Sequence, residues 1–409
     1  MQATDAGGKT KLLFVDQAVA FGGSIVVLAH LLKFLDRDRY SCVLVTAMPQ
    51  DVLASLFDPG VRTIRLKPTF DYRTRNQLTE RFRPLGRGGM RLAAYWFTIV
   101  SFVGNVRYRW KLGQLLRAER PRLVHINNNC FFSAETCALM RQPYVFHYHG
   151  LLDEPLRAWP RWVLSKAALF ISISEYISEI ARRRRGAGFQ PIRTVPNPAP
   201  QPLDLPEEEL RAVRQSWGLD TGATIIGIFG RLVSWKGQME FLQAFKRTRE
   251  LFPNIVALVV GDASDLGKQY EARLRQWVAE QGLATAVVFT GYSSNVDPLY
   301  QICDIVVHAS IEPEPFGLVI VEAMSAGAAV IASPLGAGPE IITHRVTGLI
   351  ADPRDPDELA QALASLLSDP ELRRRIALTG KQHAREKYAP ERFAHTIDSL
   401  YQEILPHSK

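Results

Sequence analysis

Two glutamates, Glu314 and Glu322, stand in the stretch Glu312-Pro-Glu-Pro-Phe-Gly-Leu-Val-Ile-Val-Glu322. The apolar run Ile305-Val-Val-His308 before it reads as a buried strand, and Ala329-Val-Ile-Ala-Ser333 after it as another. Between them the spacing predicts a short helix from Gly317 to Ala326, closed by Gly327. Glu314 then lies in the turn before a helix N-terminus. Glu322 lies inside the helix, on the face shared with Leu318 and Val319. A carboxylate can accept two hydrogen bonds from a vicinal diol such as a ribose or hexose presents. The N–H groups around Phe316, Gly317 and Leu318 suit a phosphate or a departing oxyanion, assisted by the helix dipole. This is chemistry for holding a sugar nucleotide. The bland alternative is an acidic loop followed by an amphipathic helix with one solvated glutamate.

Three further groups invite the same question. Thr224-Ile-Ile-Gly-Ile-Phe229 reads as a strand running into Gly230-Arg231-Leu-Val-Ser-Trp-Lys236-Gly237. Arg231 can fork onto a diphosphate and Lys236 can add a point charge; the alternative is two solvated cations. Near the start, the strand Leu12–Val15 leads into a loop with Gly22 and Gly23 and then a helix from Ile25 to Leu35, a layout that lets main-chain amides approach a phosphate. A Gly-Gly pair alone is also ordinary turn punctuation. The strand Pro143-Tyr-Val-Phe-His-Tyr-His149-Gly150 ends in a histidine, with His147 on the same strand face. Asn127, Asn128 and Asn129 close another strand, where they orient an acceptor or, the favoured reading, cap the following helix.

The stretch Glu-Pro-Phe-Gly-Leu-Val-(x)2-Glu-Ala-Met-(x)2-Gly, preceded by Gly-Arg-(x)4-Lys-Gly, resembles the retaining glycosyltransferases of family 4, glycosyl transferases group 1. The resemblance spans nearly the whole chain and is strongest from Gly230 to Gly348. It implies an α/β GT-B fold, two Rossmann-like domains facing across an interdomain cleft. It implies transfer of a sugar from a UDP- or GDP-sugar to an acceptor hydroxyl with retention at the anomeric carbon, in polysaccharide or glycolipid synthesis. Arg231 and Lys236 would neutralise the diphosphate, with no metal and no cofactor beyond the donor itself. Glu322 would bind the ribose. Glu314, with the amides of Phe316, Gly317, Leu318 and Val319, would hold the sugar. His149 would contact the transferred sugar, Gly22 and Gly23 would face the diphosphate, and Tyr292 would border the base. Where the family often shows Gly-Gly-x-x-Glu, this chain has Gly336-Ala337-Gly338-Pro339-Glu340, read as a local variant. A non-catalytic nucleotide-sugar-binding subunit, or another enzyme on the scaffold such as a nucleotide-sugar epimerase, stays open as an alternative. A dehydrogenase is disfavoured because G-x-G-x-x-G is absent.

The elements that must position these residues fit a chain of 409 residues, long enough for two domains, with 47% apolar and 22% charged content, ordinary for a globular protein. Residues 1–200 form the expected acceptor domain, rejoined by a last helix at 390–409. Residues 201–389 form the expected donor domain, reached through the proline-rich linker Asn197–Pro206. A net charge of +8 favours anionic partners: the donor, an anionic lipid surface or nucleic acid. The resemblance selects the donor and a glycan or lipid-linked acceptor, and no nucleic acid. Four scattered cysteines without a Cys-x-x-Cys pair suit a reducing cytoplasm, and the first residues lack the pattern of a signal peptide. Leu92 to Val103 is almost wholly apolar between arginine-rich flanks, and too short to span a bilayer. It reads either as a core helix or as a surface helix lying on the inner face of the cytoplasmic membrane. Asp36-Arg-Asp38 and Asp355-Pro-Asp357 follow no strand and read as solvated rather than metal-binding.

Overall fold

The computed structural model describes residues 8–17, 22–69, 96, 100, 103–151, 158–184, 191–219, 222–263 and 267–405. Most of the apolar segment between Tyr72 and Val103, and Phe21 of the glycine loop, lie outside the described residues. The chain divides into two compact units. One holds the N-terminal part to Ile173, Ile177–Val195 and the chain from Phe393 onward; the other holds Ser174–Tyr176 and Pro196–Arg392.

The first unit alternates β1 (Thr10–Asp16), α1 (Gly23–Phe34), β2 (Tyr40–Thr46), α2 (Gln50–Leu56), β3 (Arg62–Arg65), α3 (Val106–Glu119), β4 (Leu123–Asn127), α4 (Phe131–Leu139), β5 (Tyr144–Tyr148), α5 (Ala158–Ser165), β6 (Leu169–Ser172), α6 (Glu175–Arg184) and β7 (Ile192–Thr194). Its strands form one parallel sheet in the order β3-β2-β1-β4-β5-β6-β7. Strands β4, β5 and β6 are buried along their whole length, as continuous apolar runs in a sheet covered on both faces must be.

The second unit runs α7 (Glu207–Ser216), β8 (Thr224–Phe229), a 3-10 turn at Ser234–Lys236, α8 (Gln238–Leu251), β9 (Ile255–Val260), α9 (Lys268–Glu280), β10 (Val287–Gly291), α10 (Asp297–Gln301), β11 (Ile305–His308), α11 (Leu318–Ala326), β12 (Ala329–Ala332), α12 (Gly338–Ile341), β13 (Leu349–Ile350), α13 (Pro356–Ser368) and α14 (Pro370–Lys387). These strands are also all parallel, in the order β10-β9-β8-β11-β12-β13. Phe241, Leu242 and Phe245 of α8 and Leu359, Leu363 and Leu366 of α13 fill one face of its core. The last helix, α15 (Pro390–Ile404), packs into the first unit through Tyr401, whose hydroxyl lies 2.6 Å from Nδ1 of His125 on β4.

In each sheet the strand order reverses once, between β1 and β4 and between β8 and β11. Open α/β sheets bind ligands at the carboxyl ends of the strands flanking such a reversal. Asp16 and Asn127 end the first pair of strands; Phe229 and His308 end the second.

The two Asp-x-Asp pairs are exposed, as the solvated reading expects, and three of their four aspartates also make local contacts. Asp355 caps α13, accepting from the N–H groups of Asp357 and Glu358, and Asp357 pairs with Arg247. Asp36 accepts from the N–H groups of Asp38 and Arg39 and closes a turn. The four cysteines are buried and unpaired. Among the described residues no helix is long and apolar enough to cross a membrane.

Candidate active site

At the reversal in the second unit, β11 delivers His308 and the following turn delivers Ser310 and Glu314. Glu314 is 7% exposed, and three donors converge on its Oε1. Lys236 Nζ lies 2.6 Å away, His308 Nε2 lies 2.9 Å away, and the Ser310 hydroxyl also donates. Burial by itself would raise the Glu314 pKa; the neighbouring His308 and Lys236 outweigh it and hold the carboxyl well below the usual carboxylate range. None of the described residues hydrogen-bonds its Oε2. The main chain of Glu314 is equally fixed. Ala337 N–H donates to its carbonyl, and Gly336, at φ 72°, lies so close that a Cβ there would sit 2.2 Å from the same carbonyl oxygen. The Gly336–Glu340 variation therefore keeps a glycine where this approach demands one.

Helix α11 begins one residue later than the spacing predicts. Gly317 is its N-cap at φ 104°, a left-handed conformation, and has no side chain with which to cap. A Cβ at Gly317 would meet Ile320 Cδ1 at 2.9 Å. The first N–H groups of α11, on Leu318 and Val319, thus begin a helix without a capping side chain. Both side chains are half-buried there. The Phe316 ring is buried edge-on against Tyr388, 5.9 Å between centroids, so Phe316 offers a ligand its main chain only. Gly327 closes the helix in a left-handed C-cap.

Glu322 is half-buried and accepts from the hydroxyl of Tyr300 at 2.9 Å; burial pushes its pKa above the ordinary value. It is not the solvated helix glutamate of the bland alternative. Tyr300 on α10 is buried and stacks on Phe229 at the end of β8, 3.9 Å between centroids. Arg231 follows Gly230 out of β8 and is exposed; its carbonyl accepts from the buried Gln238 side chain at 3.0 Å. Among the described residues its guanidinium makes no hydrogen bond or ion pair. Lys236 closes the 3-10 turn with its Nζ over the Trp235 ring. Tyr292, 61% exposed, follows edge strand β10, separated from β8 by β9, and no described contact joins it to the Lys236–Glu314 pair.

In the first unit, Gly22 precedes α1 and Gly23 is its first residue. The start of α1 is tied to β4: the Asn127 amide nitrogen lies 3.2 Å from the Ser24 carbonyl, and the Asn128 amide nitrogen 3.1 Å from the Ser24 hydroxyl. Asn127 also donates to Asp16 at 2.5 Å and lies 3.0 Å through Oδ1 from Nε2 of His149. The capping reading of Asn127 is therefore wrong. Helix α4 has Cys130 at its N-cap, with no side-chain hydrogen bond. His147 faces inward on β5, its Nδ1 3.3 Å from Nε2 of His125.

Sequence reasoning missed His308, Ser310 and Tyr300. His308 carried a signal, a polar residue closing an apolar strand beside a reversal. Tyr300 carried none, since its contact with Glu322 depends on how α10 meets α11.

Two family models match the chain: "Glycosyl transferase 4-like domain" over residues 22–198 and "Glycosyl transferases group 1" over residues 211–383. A D-inositol 3-phosphate glycosyltransferase of Corynebacterium urealyticum is 32% identical over 202 residues, 48% of this chain and 47% of the relative. The lipopolysaccharide core biosynthesis mannosyltransferase LpcC of Rhizobium leguminosarum bv. viciae is 26% identical over 308 residues, 73% of this chain and 84% of the relative. The matched region spans about half the length of the first of these. Among solved structures, HepE of Anabaena in complex with UDP superposes with a TM-score of 0.78 at 23% identity, covering 96% of this chain and 100% of that one.

Proposed function

Because the chain belongs to the group 1 glycosyltransferases of family 4, with the GT-B fold, we propose that it moves a sugar from a nucleoside diphosphate sugar, UDP- or GDP-linked, to an acceptor hydroxyl with retention. The observation that carries this reading is the Glu314 cluster: a buried carboxylate with three donors on one oxygen and, among the described residues, none on the other, beside an uncapped helix N-terminus at a sheet reversal. Oε2 of Glu314 accepts from a sugar hydroxyl, and the first N–H groups of α11 meet phosphate or sugar oxygens. Glu322, steadied by Tyr300, accepts from the ribose hydroxyls. Arg231 and Lys236 neutralise the diphosphate as the bond from the anomeric carbon to the phosphate oxygen breaks, without a resident metal. That oxygen takes the acceptor's proton as the new glycosidic bond forms on the same face. In the first unit, His149 orients the sugar.

Thermal unfolding with UDP, GDP or ADP, each with a chelator present, tests the reading. A nucleotide at about 100 times its dissociation constant adds about 2.7 kcal/mol, several degrees of melting temperature. The shift is expected with one nucleotide and is expected to vanish in Arg231→Ala. No shift with any of them, or a shift abolished by the chelator, refutes nucleotide binding or metal independence respectively.

The acceptor is proposed to be a glycan or lipid-linked chain approached at an anionic membrane surface. Helix α3 supports this: Val106, Arg107, Trp110 and Lys111 are all exposed, a short apolar and basic face. The chain is expected to sediment with phosphatidylglycerol vesicles at low salt and Trp110→Glu to release it; equal binding by both would refute the surface.

A further inference from the structure

The reversal in the first unit carries a network that the transfer mechanism does not yet use. Asp16 and Asn127 are both fully buried at the ends of neighbouring strands. The nitrogen of the Asn127 amide faces two oxygens, Asp16 Oδ2 at 2.5 Å and the Ser24 main-chain carbonyl at 3.2 Å. A carbonyl can only accept, so the amide cannot be turned round without facing oxygen to oxygen. Its Oδ1 is thereby committed to His149 Nε2, 3.0 Å away. An oxygen in that position requires a proton on Nε2. Nδ1 of His149 is buried and has no hydrogen-bond partner among the described residues. A second chain runs beside it. The Tyr401 hydroxyl lies 2.6 Å from His125 Nδ1, and His125 Nε2 lies 3.3 Å from His147 Nδ1. The His147 ring in turn lies 4.3 Å from that of His149, between centroids. The imidazole of His149 is thus held by a hydrogen bond at Nε2 and by a packed ring.

We propose that Asn127 is a positioning residue for His149: with its amide fixed by Asp16 and Ser24, it holds the imidazole as the Nε2–H tautomer and leaves Nδ1 a bare acceptor. This rests on the reading that His149 orients the transferred sugar. Its chemical consequence is that His149 offers the sugar side an acceptor for a hydroxyl hydrogen, and no proton. Burial keeps the ring neutral in the same direction, with its pKa pushed down to about 3. The arrangement is the protein counterpart of a ligand histidine fixed by the partner of its other nitrogen.

Two measurements on the full chain test the proposal. In chain labelled with 15N-histidine, long-range nitrogen–proton correlation reads the tautomer of each ring without any substrate, and His149→Gln identifies the His149 signals. The wild type is expected to show Nε2 protonated and Nδ1 bare, and Asn127→Leu is expected to give a mixture. A protonated Nδ1 in the wild type, or an unchanged tautomer in Asn127→Leu, overturns the proposal. Asn127→Ala gives the same readout should leucine impair folding. The second measurement is nucleotide release from the donor chosen by thermal shift. Asn127→Leu should lower kcat by about 10-fold to 100-fold, with a smaller change in KM, and should lower it no further in a His149→Ala background. An equal loss in both backgrounds means that Asn127 is merely structural and overturns the proposal. Full turnover by His149→Ala instead overturns the sugar-positioning reading, and the tautomer spectrum tells that failure apart.

Discussion

Lys236→Met is expected to cost the protein both stability and turnover, and the two losses are expected to separate on adding Glu314→Gln. Lys236 Nζ lies 2.6 Å from a carboxylate that is 7% exposed. Removing one partner of a buried ion pair typically costs about 3–5 kcal/mol, because the remaining charge is left uncompensated. His308 and Ser310 still donate to Glu314, so about 2–3 kcal/mol is the expectation here. Chemical denaturation at neutral pH measures it. Glu314→Gln in the same chain removes the orphaned charge while keeping the side-chain shape, and most of the stability should return. Turnover should not. If Lys236 also meets the charge that grows on the diphosphate, its loss lowers kcat by about 100-fold to 1,000-fold, the usual effect of deleting one preorganised donor. The double variant lacks that donor still. A double variant that recovers turnover together with stability would show that Lys236 serves only to hold Glu314.

The second unit was the more legible half. Its strands are unbroken apolar runs, and Thr224–Phe229 and Ile305–His308 are found with the boundaries read from the sequence. The helix holding Glu322 announces itself by glycines at both ends, because both ends need a left-handed residue. Local chemistry of this kind is written in consecutive residues. The contacts that escaped the reading are written across the sheet. Asn127 meets Asp16 only because β4 lies beside β1, 111 residues away in sequence, and Tyr401 meets His125 across 276 residues. An asparagine at a strand end looks the same whether it caps a helix or braces a histidine, and only the strand order decides. Helix α14 was not singled out for a different reason. It is rich in charge, and its buried residues Leu372, Ile376, Gly380 and Ala384 form one narrow stripe at a spacing of four, with a glycine and an alanine in it. The Lys236–Glu314 pair was half legible: both residues were identified, but as separate contacts to the donor rather than as contacts to each other.

The buried histidines of the first unit should make the protein acid-labile at a pH where its carboxylates are still ionised. His125 and His147 are each 1% exposed. Burial pushes His125 from the ordinary 6.5 down to about 3, reinforced by nearby His149, and pushes His147 well below 6.5, reinforced by His149 and His125. Unfolding returns both to water, where they bind protons from about pH 6.5 downward. The unfolded chain then holds more protons than the folded one, so their contribution is whole above pH 6.5 and is lost as the pH falls toward 3. Each histidine should remove about 2 kcal/mol between pH 7 and pH 5, about 4 kcal/mol for the pair. That is a large share of the 5–15 kcal/mol that typically holds a domain together. Carboxylates held low in the fold, Glu314 foremost, add their own loss only below about 4.5, and the raised Glu322 acts in the opposite sense, so the loss between pH 7 and pH 5 comes from the histidines. Urea unfolding across that window should show the midpoint falling steeply with pH. His147→Phe puts an uncharged ring of similar shape beside His125 and Phe393 and should remove about a third of the slope, because His149, also held down to about 3 by burial, contributes as His125 does. His147→Gln tests the same point without added bulk. A slope unchanged in both variants would mean that His147 takes up its proton without unfolding, and the strand-end network would have to tolerate a cation at its centre. The same experiment bears on His149, because a neutral His147 is what allows the two rings to pack at 4.3 Å without repulsion.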